Sequence, residues 1–275
     1  MADDRTSTIM MNPSTLDETS AAAADTDCVL SILGVPITDV TWRRVVELIE
    51  EMVQHYDGRT RSIFVAHAHT LNLAAGDRRF HEVLHSADYV FGDGTGVRWA
   101  AQLQGIRLRD NLVGTDLVPA VFDATADRGY RYFMLGADEE SIFRAARHAA
   151  ARFPGWIQSG YHHGYLSTPE LNARVVRQIN EARPHLLLVG QGSPIQERWI
   201  CENQHALKVP VCMTVGGLFN YWAGDIHRSP AWLRRRGLEW LGILRQQPRK
   251  ARRYLIGNPQ FVVRVLWEYW TVRQR

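Results

Sequence analysis

The sequence predicts an α/β fold: a Rossmann-like, mostly parallel sheet with helices on both faces, followed by a basic helical C-terminal appendage. Short, near-continuous apolar runs alternate with amphipathic segments, which is typical of a parallel sheet covered on both sides. Several of these runs also end in Gly or Asp, where a strand turns into the next helix. With 45% hydrophobic and 22% charged residues, the composition is that of a soluble globular protein.

The predicted elements alternate in order along the chain. Apolar runs predict strands at 62–66, 89–91, 132–135, 186–189 and 211–215. Helical periodicity predicts amphipathic helices at 42–55, 77–86, 115–127, 139–153, 169–182 and 194–204. After Gly224 the sequence changes to Arg- and Trp-rich segments interrupted by prolines. We therefore place the boundary of the appendage near residue 226.

Charge divides the chain into three parts. Residues 1–27 are acidic, rich in Ser, Thr and Ala, and lack an apolar stretch, so they are expected to be a disordered leader and not a signal peptide. The core is expected at 28–226. Residues 227–275 contain twelve Lys and Arg against two Glu, a net charge of +10, so the preceding residues carry −7 of the total of +3. The partner of this appendage is expected to be anionic.

Two further features of the sequence indicate the cellular compartment in which the protein is expected. No uncharged run approaches the roughly 20 residues of a membrane-spanning helix, so contact with a membrane would be peripheral. The three cysteines, Cys28, Cys201 and Cys212, are too few and too scattered for a disulfide framework. This cysteine usage suits a reducing cytoplasm.

Turns at the carboxyl ends of the strands are the expected binding positions in an open α/β sheet. They fall at 92–96, 136–138, 190–193 and 216–217. Asp93 lies between two glycines after an apolar run, so it is either an exposed catalytic carboxylate or a helix-capping turn residue. The turn at 190–193 leads into a helix, whose free amides and positive dipole end could hold a phosphate. The acids after Gly136 indicate either a nucleotide site or favourable charges at a helix start.

Several polar residues are further candidates. His67, His69, Thr70 and Asn72 follow the predicted strand at 62–66, although a histidine at a strand end is commonly structural. His81 and His85 form a His-Glu-x-x-His match to zinc proteases. Helical periodicity turns His81, Glu82 and His85 toward solvent, so we predict a solvated helix face and no metal site. Asp25-Thr26-Asp27 spells a metal-binding Asp-x-Asp, but it lies in the predicted leader and receives no role.

The appendage combines basic with aromatic residues, a combination that suits either nucleic acid or an anionic membrane surface. A solvated basic face is the simpler alternative. Apolar residues at Phe261, Val262, Val265, Leu266 and Tyr269 favour a helix that lies at a membrane interface.

Seven separated motifs occur in one order along the chain. They are Asp93-Gly94 and residues 190–197, 215–220, 223–224, 228–232, 237–240 and 252–254. Together they resemble the WecG/TagA/CpsF family of bacterial glycosyltransferases over roughly residues 30–260. This chain differs from relatives at four positions, where they commonly carry Thr, Asn, Lys and Arg in place of Val65, His67, Ile195 and Ile243.

The resemblance implies an inverting glycosyltransferase that moves a hexose or N-acetylhexosamine from a UDP-sugar to a polyprenyl-diphosphate-linked sugar at the inner face of the cytoplasmic membrane. It implies Asp93 as the catalytic base. Candidate substrate-binding residues are His67, His69, Thr70, Asn72, Gly94, Gly136, Gly190, Gly192, Ser193, Gln196, Glu197, Gly216 and Gly217. Candidates for diphosphate or lipid contact are Arg228, Arg249, Arg252 and Arg253. No metal or other cofactor and no nucleic acid is expected; oligomeric state is left open.

Two other function classes use the same features. A nicotinamide-dependent oxidoreductase would use the same scaffold, but a convincing Gly-x-Gly-x-x-Gly after the first strand is missing. A nucleic-acid-binding module would use the basic appendage.

Overall fold

The computed structural model describes residues 27–227, 239–248 and 251–274. Its centre is a sheet of eight strands in the order β1-β2-β4-β3-β8-β7-β5-β6. All neighbouring strands are parallel except β1 and β2, which form an antiparallel hairpin. The strands are β1 (Cys28–Ile32), β2 (Val35–Asp39), β3 (Arg61–His67), β4 (Tyr89–Asp93), β5 (Arg131–Gly136), β6 (Ile157–His162), β7 (Leu186–Gly190) and β8 (Val211–Thr214).

Helices cover both faces of the sheet, which confirms the predicted fold class. They are α1 (Trp42–Gln54), α2 (Ala68–Ala74), α3 (Arg78–His85), α4 (Gly94–Leu103), α5 (Gly114–Ala124), α6 (Glu139–Arg152), α7 (Pro169–Ala182), α8 (Ile195–Asn203), α9 (Leu218–Trp222), α10 (Glu239–Gln246) and α11 (Asn258–Arg273). A π-helical turn, Arg253–Gly257, precedes α11.

Strand β5 shows why the apolar runs are continuous. Phe133 and Leu135 pack in one buried cluster, whereas Tyr132 and Met134 pack in the cluster on the other face. Because successive side chains of a strand point to opposite faces, a strand buried on both sides needs apolar residues at every position.

Several elements were not predicted. The hairpin β1–β2 and the edge strand β6 carry mixed polar and apolar residues. Strands β1 and β6 lie at the two edges of the sheet, where β1 buries only Leu30 and Ile32 and β6 has no buried residue. Helices α2 and α4 begin immediately after β3 and β4, so no loop separates the strand pattern from the helical one.

Helix α11 packs onto the core. Phe261 and Val265 are each 2% exposed and belong to a buried cluster of the core. The prediction that both lie at a membrane interface is therefore wrong. The exposed face of α11 instead carries Val263, Trp267 and Trp270, at helical spacing.

Candidate active site

The carboxyl ends of β4, β3, β8 and β7 lie side by side in the sheet. His67, the last residue of β3, is in register with Asp93, the last residue of β4. This pairing places an imidazole and a carboxylate next to each other at the edge where parallel sheets bind ligands.

Asp93 is half-buried and precedes α4, yet its side chain makes no capping hydrogen bond to that helix. Asp77 and Asp138, by contrast, cap α3 and α6 through their carboxylates. The alternative in which Asp93 is a helix-capping turn residue therefore does not describe this site. The next amide, Gly94 N–H, donates to Asn111 Oδ1 at 3.1 Å. Asn111 stabilises this turn, and no motif in the sequence indicated it.

Arg253 reaches this edge from the π-helical turn. Its Nη2 lies 2.6 Å from His67 Nε2. Burial lowers the pKa of the Arg253 guanidinium, and Tyr254 and the charge of Asp93 oppose that shift. The site therefore combines one carboxylate and one guanidinium, brought together from β4 and the C-terminal part of the chain.

A second line of contacts joins β3 to α8. His67 Nδ1 lies 2.7 Å from Thr70 Oγ1, and Thr70 Oγ1 lies 3.2 Å from Ser193 Oγ. Ser193 Oγ donates to Glu197 Oε1 at 2.6 Å. Glu197 is fully buried, and burial raises the pKa of its carboxyl group. The sequence indicated these residues separately, whereas the structure connects them.

Gln196 bridges two of the glycine turns. Its Oε1 accepts hydrogen bonds from Gly192 N–H and Gly216 N–H, each at 3.1 Å, and its Nε2 donates to Glu197 Oε1 at 2.8 Å. The amides of residues 195 and 196 both donate to Gly192 O. The prediction of free phosphate-binding amides at the start of this helix is therefore wrong for Gly192 and for residues 195 and 196, because internal acceptors already satisfy them.

The glycines of the site have two different roles. A Cβ on Gly136 would lie 2.4 Å from Gly190 O, so this glycine permits two strand ends to approach closely. A Cβ on Gly192, Gly216 or Gly217 would meet no atom of the described residues within 4 Å. As far as those residues go, the surface above these three glycines is open to a ligand.

A cleft of about 830 Å³ opens near the Gly136 turn and is lined by Asp138, Ser141, Asn220, Asp225 and Gln246, among others. Ser141 N–H and Oγ donate to Asp138 at 2.9 and 3.0 Å, and these bonds lower the pKa of that carboxyl group. Asp138 thus caps α6, as the helix-start alternative predicted. The cleft is in the size range of sites for small ligands.

Other predicted residues lie elsewhere. Asn72 is 8% exposed, and its side chain contacts Gly257 O, Gln260 and Arg264, so it docks the C-terminal helix. His69 is half-buried, with its ring centroid 5.9 Å from that of His67. Arg252 is exposed, unlike Arg253. Arg228 and Arg249 lie outside the described residues, as do residues 1–26 of the predicted leader.

The His-Glu-x-x-His segment packs against the β1–β2 turn. His85 Nε2 lies 2.7 Å from Gly34 O, and a Cβ on Gly34 would lie 2.9 Å from His81 Nε2. Glu82 and His85 are exposed as predicted, but His81 is half-buried. Within the described part of the chain, no group of three or more His, Cys, Asp or Glu is arranged to hold a metal ion.

A strand-end carboxylate and a guanidinium lie at the carboxyl edge of a mostly parallel α/β sheet, the edge where enzymes of this fold class bind their ligands. The model of the glycosyl transferase WecG/TagA/CpsF family matches residues 30–275. The chain belongs to this family and is a glycosyltransferase.

Two curated relatives support the assignment. An N-acetylglucosaminyldiphosphoundecaprenol N-acetyl-beta-D-mannosaminyltransferase of Bacillus subtilis (strain 168) is 29% identical over 195 residues, 71% of this chain and 75% of the relative. A protein of the same name from Staphylococcus aureus (strain NCTC 8325 / PS 47) is 29% identical over 212 residues, 77% of this chain and 82% of the relative.

Proposed function

We propose that this protein is an inverting glycosyltransferase that moves a hexose or N-acetylhexosamine from a UDP-sugar to a sugar carried on a polyprenyl diphosphate. The names of both relatives specify N-acetylmannosaminyl transfer and a diphosphoundecaprenol-linked N-acetylglucosamine. These names support an N-acetylhexosamine as the transferred group and a lipid-linked sugar as the acceptor.

Asp93 would act as the general base. In an inverting transfer, the acceptor hydroxyl oxygen attacks the anomeric carbon, the bond to UDP breaks, and the hydroxyl proton passes to a base. The observation that carries the proposal is that Asp93 ends β4 in register with His67, whose Nε2 lies 2.6 Å from Arg253 Nη2.

Arg253 would stabilise the leaving diphosphate. UDP departs with additional negative charge, and a pre-positioned cation lowers the energy of that charge most effectively where water is excluded. Several amides at the start of α8 already donate hydrogen bonds to Gln196 Oε1 and Gly192 O. We therefore assign stabilisation of the leaving diphosphate more to Arg253 than to the helix-end amides. The nucleotide would bind in the cleft beside Asp138, and no metal would be required.

The C-terminal helix would place the enzyme on an anionic membrane surface. Among the described residues, no helix is both long enough and apolar enough to cross a bilayer. Helix α11 nevertheless exposes Val263, Trp267 and Trp270 at 66%, 73% and 67%. An apolar stripe on a helix that also carries basic residues such as Arg273 is typical of helices that bind at membrane interfaces. The inner face of the cytoplasmic membrane, where UDP-sugars are available, is the proposed location.

The test is a transfer assay with a panel of UDP-sugars and a synthetic lipid-diphosphate-linked N-acetylglucosamine, with product mass as the readout. We expect Asp93→Asn to lower kcat by roughly 10²- to 10⁴-fold, because it removes the base and keeps the shape. Asp127→Asn, a change of the same chemistry at an exposed carboxylate, is the matched control. EDTA should leave activity in place. Near-normal turnover of a folded Asp93→Asn protein would remove the base assignment.

Membrane binding is tested with vesicles that contain anionic phosphatidylglycerol. Replacing both Trp267 and Trp270 by Ser should weaken vesicle binding by about tenfold or more, because their burial in the interface is lost. The control is Phe143→Ser, which removes an exposed aromatic side chain from α6 and should leave vesicle binding unchanged. Equal binding by the wild type and the double variant would show that this stripe is not the docking surface.

A further inference from the structure

The contact between Arg253 and His67 requires one particular tautomer of the histidine. A guanidinium only donates, so His67 Nε2 must offer its lone pair to Arg253 at 2.6 Å. The neutral His67 ring then carries its proton on Nδ1. That proton needs an acceptor, and Thr70 Oγ1 lies 2.7 Å away.

The other contact of Nδ1 favours the opposite tautomer. The backbone N–H of Thr70 also points at His67 Nδ1, at 3.1 Å, because His67 occupies the N-cap position of α2. A backbone N–H can only donate, so this contact alone would leave Nδ1 without a proton and place the proton on Nε2. An Nε2 proton would face the donors of Arg253, and the contact would become repulsive. The two contacts of Thr70 therefore compete for the tautomer of His67.

The Thr70 hydroxyl can accept from His67 because its own proton has a partner. It can donate to Ser193 Oγ at 3.2 Å, and Ser193 Oγ donates to the buried Glu197 Oε1 at 2.6 Å. Glu197 Oε1 receives a second donor from Gln196 Nε2. Glu197 Oε1 accepts at one end of this series of contacts, and the Arg253 guanidinium donates at the other. The hydroxyls of Thr70 and Ser193 therefore both donate toward Glu197.

We propose that Thr70 is a positioning residue, whose hydroxyl selects the Nδ1-protonated tautomer of His67 and thereby holds Arg253 beside Asp93. Its effect on transfer rests on the proposed function, whereas the tautomer and the position of Arg253 do not. Ser193 and Glu197 orient the Thr70 hydroxyl.

The first experiment measures the tautomer without using activity. In ¹⁵N NMR spectra at pH 8, above the ordinary imidazole pKa of about 6.5, the two ring nitrogens of a neutral histidine have different shifts that identify the protonated one. The His67 signals are assigned by their absence in His67→Gln. We expect Nδ1–H in the wild type, Nε2–H in the isosteric Thr70→Val, and a return to Nδ1–H in Thr70→Ser, which keeps the hydroxyl.

The second experiment follows the C-terminal segment. Hydrogen exchange of the amides at 251–257 should be about tenfold faster in Thr70→Val than in Thr70→Ser, because the Arg253 contact is lost. Exchange in β5, far along the sheet, should be unchanged in both variants, which separates this effect from general destabilisation.

The third experiment is a mutant cycle on kcat/KM. Thr70→Val should lower kcat/KM by about 10- to 100-fold in the wild-type background, and Thr70→Ser should recover most of that loss. In an Arg253→Ala background, Thr70→Val should cause little further loss, because both changes act through the same guanidinium.

These measurements separate failure of this proposal from failure of the proposed function. Nε2–H in the wild type, or an unchanged tautomer in Thr70→Val, would overturn the positioning role whether or not the protein transfers sugars. Additive losses in the cycle would also overturn it. The expected tautomers and exchange rates in a protein without glycosyl transfer would retain the positioning of Arg253 and reject only the reaction.

Discussion

Phe261→Ala tests whether the C-terminal helix is part of the core. The Phe261 side chain is 2% exposed, and a Cβ on Gly96 would lie 3.5 Å from its ring, so the ring fills the space beside α4. Truncation of a buried Phe costs about 3–5 kcal/mol in unfolding free energy, from lost burial and from the cavity left behind. Because a docked helix such as α11 can detach from the core as a unit, the loss cannot exceed its docking free energy. We therefore expect about 3 kcal/mol, at the lower end of this range.

Urea unfolding of the full chain measures this loss. The control is Val263→Ala on the same helix, where the side chain is 66% exposed and the change should stay within about 0.5 kcal/mol. Limited proteolysis of Phe261→Ala should first cleave the C-terminal segment. If Phe261→Ala and Val263→Ala are equally stable, α11 does not pack on the core in solution, and the boundary near residue 226 separates an independent appendage.

Two further predictions concern the residues behind the site. Gln196→Leu removes three hydrogen bonds and leaves two half-exposed glycine amides without their acceptor, so it should lower the free energy of urea unfolding by about 2–4 kcal/mol. The control is Gln191→Leu, which loses one hydrogen bond to Gly164 O and should cost about 1 kcal/mol. Equal losses in the two variants would contradict the bridging role of Gln196. Burial raises the pKa of Glu197 above its ordinary 4.5, so its contribution to stability is complete below pH about 4.5 and is lost as pH rises through the folded-state pKa. Glu197→Gln should therefore gain stability relative to the wild type as pH rises above about 4.5, and parallel pH profiles of the two proteins would contradict a raised pKa.

The sequence predicted the interior of the fold better than its edges. Strand β7 and helix α7 are found within one residue of their predicted bounds, because a two-sided buried strand and a capped amphipathic helix have strong local patterns. Strand β6 was missed because an exposed edge strand needs only a few apolar positions. The C-terminal helix was predicted, but its periodicity alone could not show which face the core would bury.

The candidate site shows the same limit. The resemblance to the WecG/TagA/CpsF family indicated Asp93, Gln196 and Arg253, because the motifs of the family have recognisable positions along the chain. The couplings between them could not, because Thr70 and Ser193 are 123 residues apart, and His67 and Arg253 are 186 apart. Such contacts depend on strand order, and strand order is set by packing of the whole sheet. The amides at the start of α8 were expected to be free because the sequence alone does not show that Gln196 accepts a hydrogen bond from one of them.

The C-terminal segment combines three features that a deletion cannot separate. Its inner face places Phe261 and Val265 in the core, while the preceding turn brings Arg253 to His67. Its outer face exposes Trp267 and Trp270. Removing residues 227–275 would uncover core side chains, take away the guanidinium and delete the apolar stripe at once, so lost activity would have three explanations. Point changes distinguish them: Phe261→Ala acts on stability, Thr70→Val on the guanidinium, and the tryptophan pair on the membrane. Loss of transfer to a water-soluble acceptor should then follow the guanidinium and not the tryptophans, because the charge of Asp93, the proposed base, acts on Arg253.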